Sequence, residues 1–385
     1  MDKKKQLVFN LNNFLISISY ALDSVESQNY KTTSTHSKKI AFIALKLAKE
    51  FNYKSAGLSD ICSYALLHNI ALFETKEKNK NYCILGEAYS KKMPFLTEEE
   101  NIIKYSCEYY NGSGFFGLKG EQIPLFSQFI SFADTIDTKF NLSDSSIENR
   151  TNILEFVKQN ENILFSTDIV ECFCEFSQTQ SFWLDLQNQH ELLTYIFSNL
   201  EDFSQAMDFE EILKITSIFS NILEKNNSIF KKAQKVVKYY NFDHKDTQTF
   251  LIASSLITIG KFFIPSTILT KKEKLDKEEY ETIKAYPYYT KKTLSNIMGF
   301  SDISNWASKA QEFIDGSGYP YSLEGKDLSL KDRLISILNI YNSLTSSKIY
   351  RNKLSNDESF KILDTLASEG KVDKAIVEDF KKIFP

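Results

Sequence analysis

Proline and glycine are scarce in this chain, at 6 and 12 of 385 residues. So few helix breakers favour long helices joined by short turns. Histidine is scarcer still: only His36, His68, His190 and His244 occur, which leaves little imidazole for metal chemistry. The five cysteines (Cys62, Cys83, Cys107, Cys172, Cys174) include no CxxC pair, so a thiolate metal site or redox motif is not indicated. An odd count of free thiols fits a reducing compartment, and a cytoplasmic location is expected. No run of about 18 apolar residues exists, which excludes a membrane-spanning helix. A net charge of −4 gives no bulk attraction to nucleic acid or anionic membranes, so neither is an expected partner.

What is present is aromatic and helix-patterned. The 31 Phe and 20 Tyr can bury large areas, and 42% hydrophobic content is ordinary for a globular chain. "KKIAFIALKLAKEF" (38–51), "LSDICSYALLHNIALF" (58–73) and "EEILKITSIFSNILEKN" (210–226) place apolar residues at i, i+3, i+4 and i+7. Near the N-terminus, Asn10, Asn12 and Asn13 interrupt what would otherwise resemble a signal peptide. Leu11, Phe14, Leu15, Ile18, Leu22 and Val25 instead fall at helical spacing and predict an amphipathic first helix. Alternating strand patterns are rare, so the expected class is all-α.

Against this background one loop stands out. "QEFIDGSGYPYSLEGKDLS" (311–329) packs Gly316, Gly318 and Pro320 into five residues. An altered version, "CEYYNGSGFFGLKGEQIP", lies at 107–124. Each loop leads into an amphipathic helix, ending in D-x-x-D (134–137) or N-x-x-N (339–342). "LLHNIALF" and "LITIGKFF" form a second pair upstream. These repeats predict a tandem duplication, with a first domain over 1–215, including connector helices, and a second over 216–385. Two such halves can pack about a pseudo-twofold axis, and a homodimer is a further option.

"YKTTSTHSKKIAFIALKLAKEF", "ALLHNI", "YNGSGFFGLKG" and "FADTID" together resemble an HD-GYP-type phosphohydrolase domain. "SLITIGKFFIP", "KAYPYYTKKTL", "AQEFIDGSGYP" and "NIYNSLTSSKIYR" resemble a second one. The resemblance covers roughly 10–140 and 216–355. It implies an all-helical fold in which histidines, a His-Asp pair and a distal aspartate hold two or three metal ions. Those ions bind a phosphodiester, usually cyclic di-GMP, and make the attacking hydroxide.

Carried over by position, the second copy keeps none of those ligands. Ile229 stands for the first histidine, Ile257-Thr258 for the His-Asp pair, Tyr286 for the histidine before proline, Ala310-Gln311 for the paired histidines and Asn339 for the distal aspartate. The first copy keeps His36, His68 and Asp134, but has Asn69, Tyr82 and Ser106-Cys107 at the other positions. A neutral amide such as Asn69 cannot bridge two metals as a carboxylate does. Four histidines also cannot furnish two intact sites of this kind.

The second copy does keep Lys261, Arg333 and Arg351 at family positions, with two of the chain's three arginines among them. They form either a residual anion or nucleotide pocket or a set of salt bridges tying loop to helix. Phe115 and Phe116 replace the Tyr-Pro pair of the other loop, and with Asp315, Gly316, Gly318, Tyr319 and Pro320 they are the candidate interaction loops. The expected function is therefore a catalytically inactive HD-GYP-like signalling scaffold. It would bind a bacterial signalling protein or a cyclic dinucleotide, and carry no cofactor. The alternative is a metal-dependent phosphodiesterase with a reduced site at His36, His68 and Asp134, holding one weakly bound divalent metal.

Overall fold

The computed structural model describes residues 6–30, 32–201, 204–224, 228–347 and 352–385. The fold is all-α. The strands among the described residues are β1 (Gln6–Phe9) and β2 (Gln205–Asp208), which pair antiparallel with Gln6 opposite Asp208. No described helix is long and apolar enough to cross a membrane. The chain divides into two compact units, one of residues 10–204 and one of residues 1–9 with 205–385.

The first unit contains α1 (Leu11–Asn29), α2 (His36–Glu50), α3 (Ser55–Leu67), α4 (Lys80–Ser90) and α5 (Leu125–Lys139). Four further helices follow: α6 (Ile147–Gln159), α7 (Thr167–Phe176), α8 (Gln180–Gln187) and α9 (Gln189–Asn199). Helix α1 starts where the sequence places it, because the Asn10 side chain accepts from the Asn13 backbone N–H. Its Phe14, Leu15, Ile18, Leu22 and Val25 are buried, as the periodicity requires. Asp23 and Glu26 of the same helix are buried too. Helix α2 packs against α3 and α5 at the centre of the unit. Phe132, Phe173, Phe182 and Trp183 build an aromatic cluster under α6 to α8.

The second unit continues from β2 into α10 (Phe209–Leu223), which opens with a capping box between Asp208 and Glu211. It proceeds through α11 (Ile229–Tyr239), α12 (His244–Leu256), α13 (Lys277–Lys284), α14 (Tyr286–Leu294) and α15 (Ser301–Ala307). The last helices are α16 (Leu330–Leu344), α17 (Asn356–Ser368) and α18 (Lys374–Ile383).

The two glycine loops are built around buried glutamates. In the second unit, Glu312 accepts from the backbone N–H groups of Tyr321 at 2.8 Å and Leu323 at 3.0 Å. In the first, Glu108 accepts from Phe116 and Leu118, both at 2.8 Å. Each glutamate's own carbonyl accepts from a serine of the following helix, Ser336 on α16 or Ser131 on α5. This is why the loops need glycine. A Cβ on Gly318 would lie 2.3 Å from Phe313 N and 2.5 Å from Glu312 Cα. On Gly114 it would lie 2.6 Å from Glu108 Cα. The clashes are with backbone, which cannot swing aside. Gly318→Ala should therefore destabilise the protein by about 1–3 kcal/mol. A drop in the urea midpoint checks this, and an unchanged midpoint would show that the loop yields freely.

Candidate metal centre

The centre lies in the first unit, where α1, α2 and α5 meet the end of α3. The amphipathic pattern of α1 turns Glu26 inward, four residues after the buried Leu22. His36 opens α2, and Asp134 and Asp137 lie one turn apart on α5. His68 follows α3 directly. Lys78 reaches in from the loop before α4, its backbone N–H donating to Tyr30 Oη at 3.0 Å.

His36 is the hub and is fully buried. Its Nδ1 lies 2.6 Å from Asp137 Oδ2. Its Nε2 lies 3.0 Å from Glu26 Oε2 and 3.2 Å from Asp134 Oδ1. Lys39 Nζ holds the other Asp137 oxygen at 3.2 Å. Lys78 Nζ bridges Glu26 Oε1 at 3.0 Å and Asp134 Oδ2 at 2.8 Å. Burial alone would favour a neutral His36 ring, but the Glu26 charge and contacts with Asp134 and Asp137 raise its pKa well above the ordinary value. For Glu26, burial pushes the pKa up; the His36 and Lys78 charges overcome this and hold it at about 2. Asp134 is held well below the carboxylate range, its burial outweighed by Lys78, His36 and His68.

His68 is also buried, and burial keeps its ring below the ordinary imidazole value. Its Nδ1 lies 2.6 Å from the Ala65 carbonyl and must donate to it, so Nε2 carries the lone pair. That Nε2 meets Asn69 Nδ2 at 2.7 Å and lies 3.9 Å from Asp134 Oδ1. Tyr82 Oη closes the set, donating within reach of the His68 carbonyl at 2.6 Å and Asn69 Oδ1 at 2.8 Å.

Glu26, His36, His68 and Asp134 thus each offer one ligand atom, all within 4.8 Å of one another. Two imidazoles and two carboxylates suit a divalent first-row ion. The fit has independent support: Glu26 Oε1, Glu26 Oε2 and His36 Nε2 are buried yet make no directed hydrogen bond, only ion-pair approaches. Asp137 is placed to orient His36 through its far nitrogen, as outer-sphere carboxylates do for ligating histidines.

Residues 210–376 match the HD domain family. Two curated proteins of Vibrio cholerae are alike over most of both lengths. 3'3'-cGAMP-specific phosphodiesterase 1 is 23% identical over 96% of this chain and 90% of its own. 3'3'-cGAMP-specific phosphodiesterase 3 is 25% identical over 90% of this chain and 75% of its own. The HD-domain match thus lies in the second unit, while the likeness to the two phosphodiesterases runs through both. A crystal structure of a cyclic GMP-AMP specific phosphodiesterase of V. cholerae superposes on this chain with a TM-score of 0.69, at 19% identity and covering 98% of both chains.

These likenesses overturn the expected inactive scaffold, and with it the label of pseudoenzyme: the full-length relatives are named as phosphodiesterases. The physical error lay in counting histidines. The sequence yielded His36, His68 and Asp134, three ligands against an eroded pattern. The fold adds Glu26 from α1 and completes a four-ligand set. Glu26, Asp137 and Lys78 were all missed. An acidic residue within the apolar stripe of α1 was the available signal for Glu26, and the D-x-x-D spacing was the one for Asp137. Lys78 sits in the charged loop "TKEKNK", where no pattern marks it.

The remaining candidates are not members of this group of four. Lys261 Nζ lies 2.8 Å from Glu224 Oε1 and 5.5 Å from the centre of the Tyr286 ring. The Arg333 guanidinium contacts Asp373 at 3.1 Å and donates to the carbonyls of Leu328 and Gly325. Arg351 lies outside the described residues. Among the family positions of the second unit, Tyr286 Oη accepts from Gln311 Nε2 at 2.9 Å and Asn339 Nδ2 donates to the Ala310 carbonyl. Ile229 and Ile257 are buried. Phe115 is 42% exposed, whereas Phe116 is half-buried, edge-on to Tyr105 with Lys80 and Lys104 over its ring. In the other loop Asp315 caps Ser317, Gly316 takes a positive φ of 80°, and the Tyr319-Pro320 bond is cis.

Proposed function

We propose that this protein is a metal-dependent phosphodiesterase acting on cyclic dinucleotides, with its working site in the first unit. The observation that carries the reading is the convergence of Glu26, His36, His68 and Asp134. The names of these two relatives support 3'3'-cGAMP, and partial matches to proteins named cyclic di-GMP phosphodiesterases support cyclic di-GMP as the related substrate. The two units are read as two HD-like halves, the second retaining the loop and shape without metal ligands.

Glu26, His36, His68 and Asp134 would hold one divalent ion. Bound there, it would supply Lewis acidity towards a phosphate oxygen and an activated water. The chain's own groups do the rest. Asp137 holds the His36 ring in orientation. The Ala65 carbonyl holds the His68 ring at Nδ1 and Tyr82 holds its backbone carbonyl, while Asn69 Nδ2, now on Nε2, would yield that nitrogen to the ion.

The test is hydrolysis of 3'3'-cGAMP by purified protein with Mn²⁺ or Fe²⁺, read by chromatography of the linear product. Product should form and should vanish in His68→Ala. No product with either ion, or product undiminished in His68→Ala, would reject the reading.

A further inference from the structure

Lys78 is an unusual neighbour for a metal centre. Its ammonium lies 3.0 Å from Glu26 Oε1, and 3.0 and 2.8 Å from the two oxygens of Asp134. Glu26 and Asp134 are two of the four ligands just described. The ammonium therefore stands against the same carboxylates that a divalent ion would use. Metal–oxygen bonds are about 2.0–2.6 Å long. An ion bonded to an oxygen that Lys78 holds would then lie within about 6 Å of Lys78 Nζ, where screening by water is weak.

Charge makes the conflict sharper. Three carboxylates, the buried Glu26 and Asp137 and the half-buried Asp134, already face Lys39, Lys78 and the His36 ring. Adding two positive charges with Lys78 in place would leave the cluster over-compensated. Lys78 is also the one of these groups that can withdraw. It belongs to a loop rather than a helix, on a long flexible stem, and its side chain is 15% exposed. Lys39, on α2, has no such exit.

We propose that the Lys78 ammonium is a built-in competitor for the divalent ion, held by Glu26 and Asp134 in the ion-free protein and expelled when the ion enters. It follows that the site binds the ion more weakly than its ligand set would allow. This rests on the metal-site reading above and adds what limits its occupancy.

Calorimetric titration of Mn²⁺ into wild-type protein and Lys78→Met tests it. The variant should bind at least about ten-fold tighter, because no ion pair must be broken first. Equal or weaker binding in a folded variant would overturn the competitor role while leaving the metal site standing. Binding by neither protein would overturn both. Lys78→Met leaves two carboxylates short of a cation and could unfold, so a second measurement uses wild-type protein alone. Reductive methylation, read by mass spectrometry, should label Lys78 slowly without metal and several-fold faster with Mn²⁺. A labelling rate that Mn²⁺ leaves unchanged or slows would reject the exchange.

Discussion

Replacing His36 with alanine should cut the hydrolysis of 3'3'-cGAMP by at least about 100-fold in kcat/KM. Loss of an outer-sphere partner of a ligating histidine typically costs about 10–100-fold, and loss of the ligand itself costs more. His36 is the group on which the centre converges. One ring nitrogen faces Glu26 and Asp134, and the other faces Asp137. Asp137→Asn should show the smaller effect, about 10–100-fold, since it loosens the ring without removing it. His244 provides the control: it is exposed, in the second unit, and its Nε2 lies 3.0 Å from Gln248 Nε2. His244→Ala should leave the rate unchanged. If His36→Ala keeps most of the activity, the working site lies elsewhere in the chain.

The second large effect is on stability. Asp23→Ala should destabilise the protein by about 3–5 kcal/mol, the usual range for stranding one partner of a buried ion pair. Asp23 and Lys38 are both fully buried, with Lys38 Nζ 2.8 Å from Asp23 Oδ2. Asp23 Oδ1 also accepts from the Ser37 backbone N–H at 3.0 Å. The ammonium sits 3.5 Å from the centre of the Tyr20 ring, a contact that cannot replace the lost counter-charge. Burial already lowers the Lys38 pKa against the pull of Asp23. Without Asp23 the amine would be driven towards its neutral form. Asp23→Asn with Lys38→Met should recover much of the loss, because the amide oxygen keeps the acceptor for the Ser37 N–H and no charge is left buried without a partner. Denaturant midpoints of the single and double variants measure this. Equal stability of wild type and Asp23→Ala would mean that Lys38 finds water or another partner. This pair also anchors α1 to the start of α2, two residues from His36, so the fold and the centre depend on it together.

Much of the helical fold was legible because period 3.6 is written in the apolar residues themselves. The stripe Leu11, Phe14, Leu15, Ile18, Leu22 and Val25 predicts α1, and all of these are buried except Leu11, which is half-buried. The glycine loops were legible as punctuation, but their cause was not. Gly318 and Gly114 are required by glutamate backbones packed against them. The function was misjudged for a similar reason. Motif positions report which family ligands were lost, whereas a ligand from another helix, such as Glu26, has no place in the motif that was counted.

The sequence by itself determined the all-α class, the two glycine loops, and that His36, His68 and Asp134 are the residues to examine. These follow from local properties: periodicity, backbone freedom and residue type. Only the tertiary structure decided that Glu26 joins them, that Asp137 orients His36, and that Lys78 stands where an ion would bind. Each of those facts is a distance between residues 10 to 108 positions apart. Such distances are set by how α1, α2 and α5 pack, and no single stretch of chain contains them.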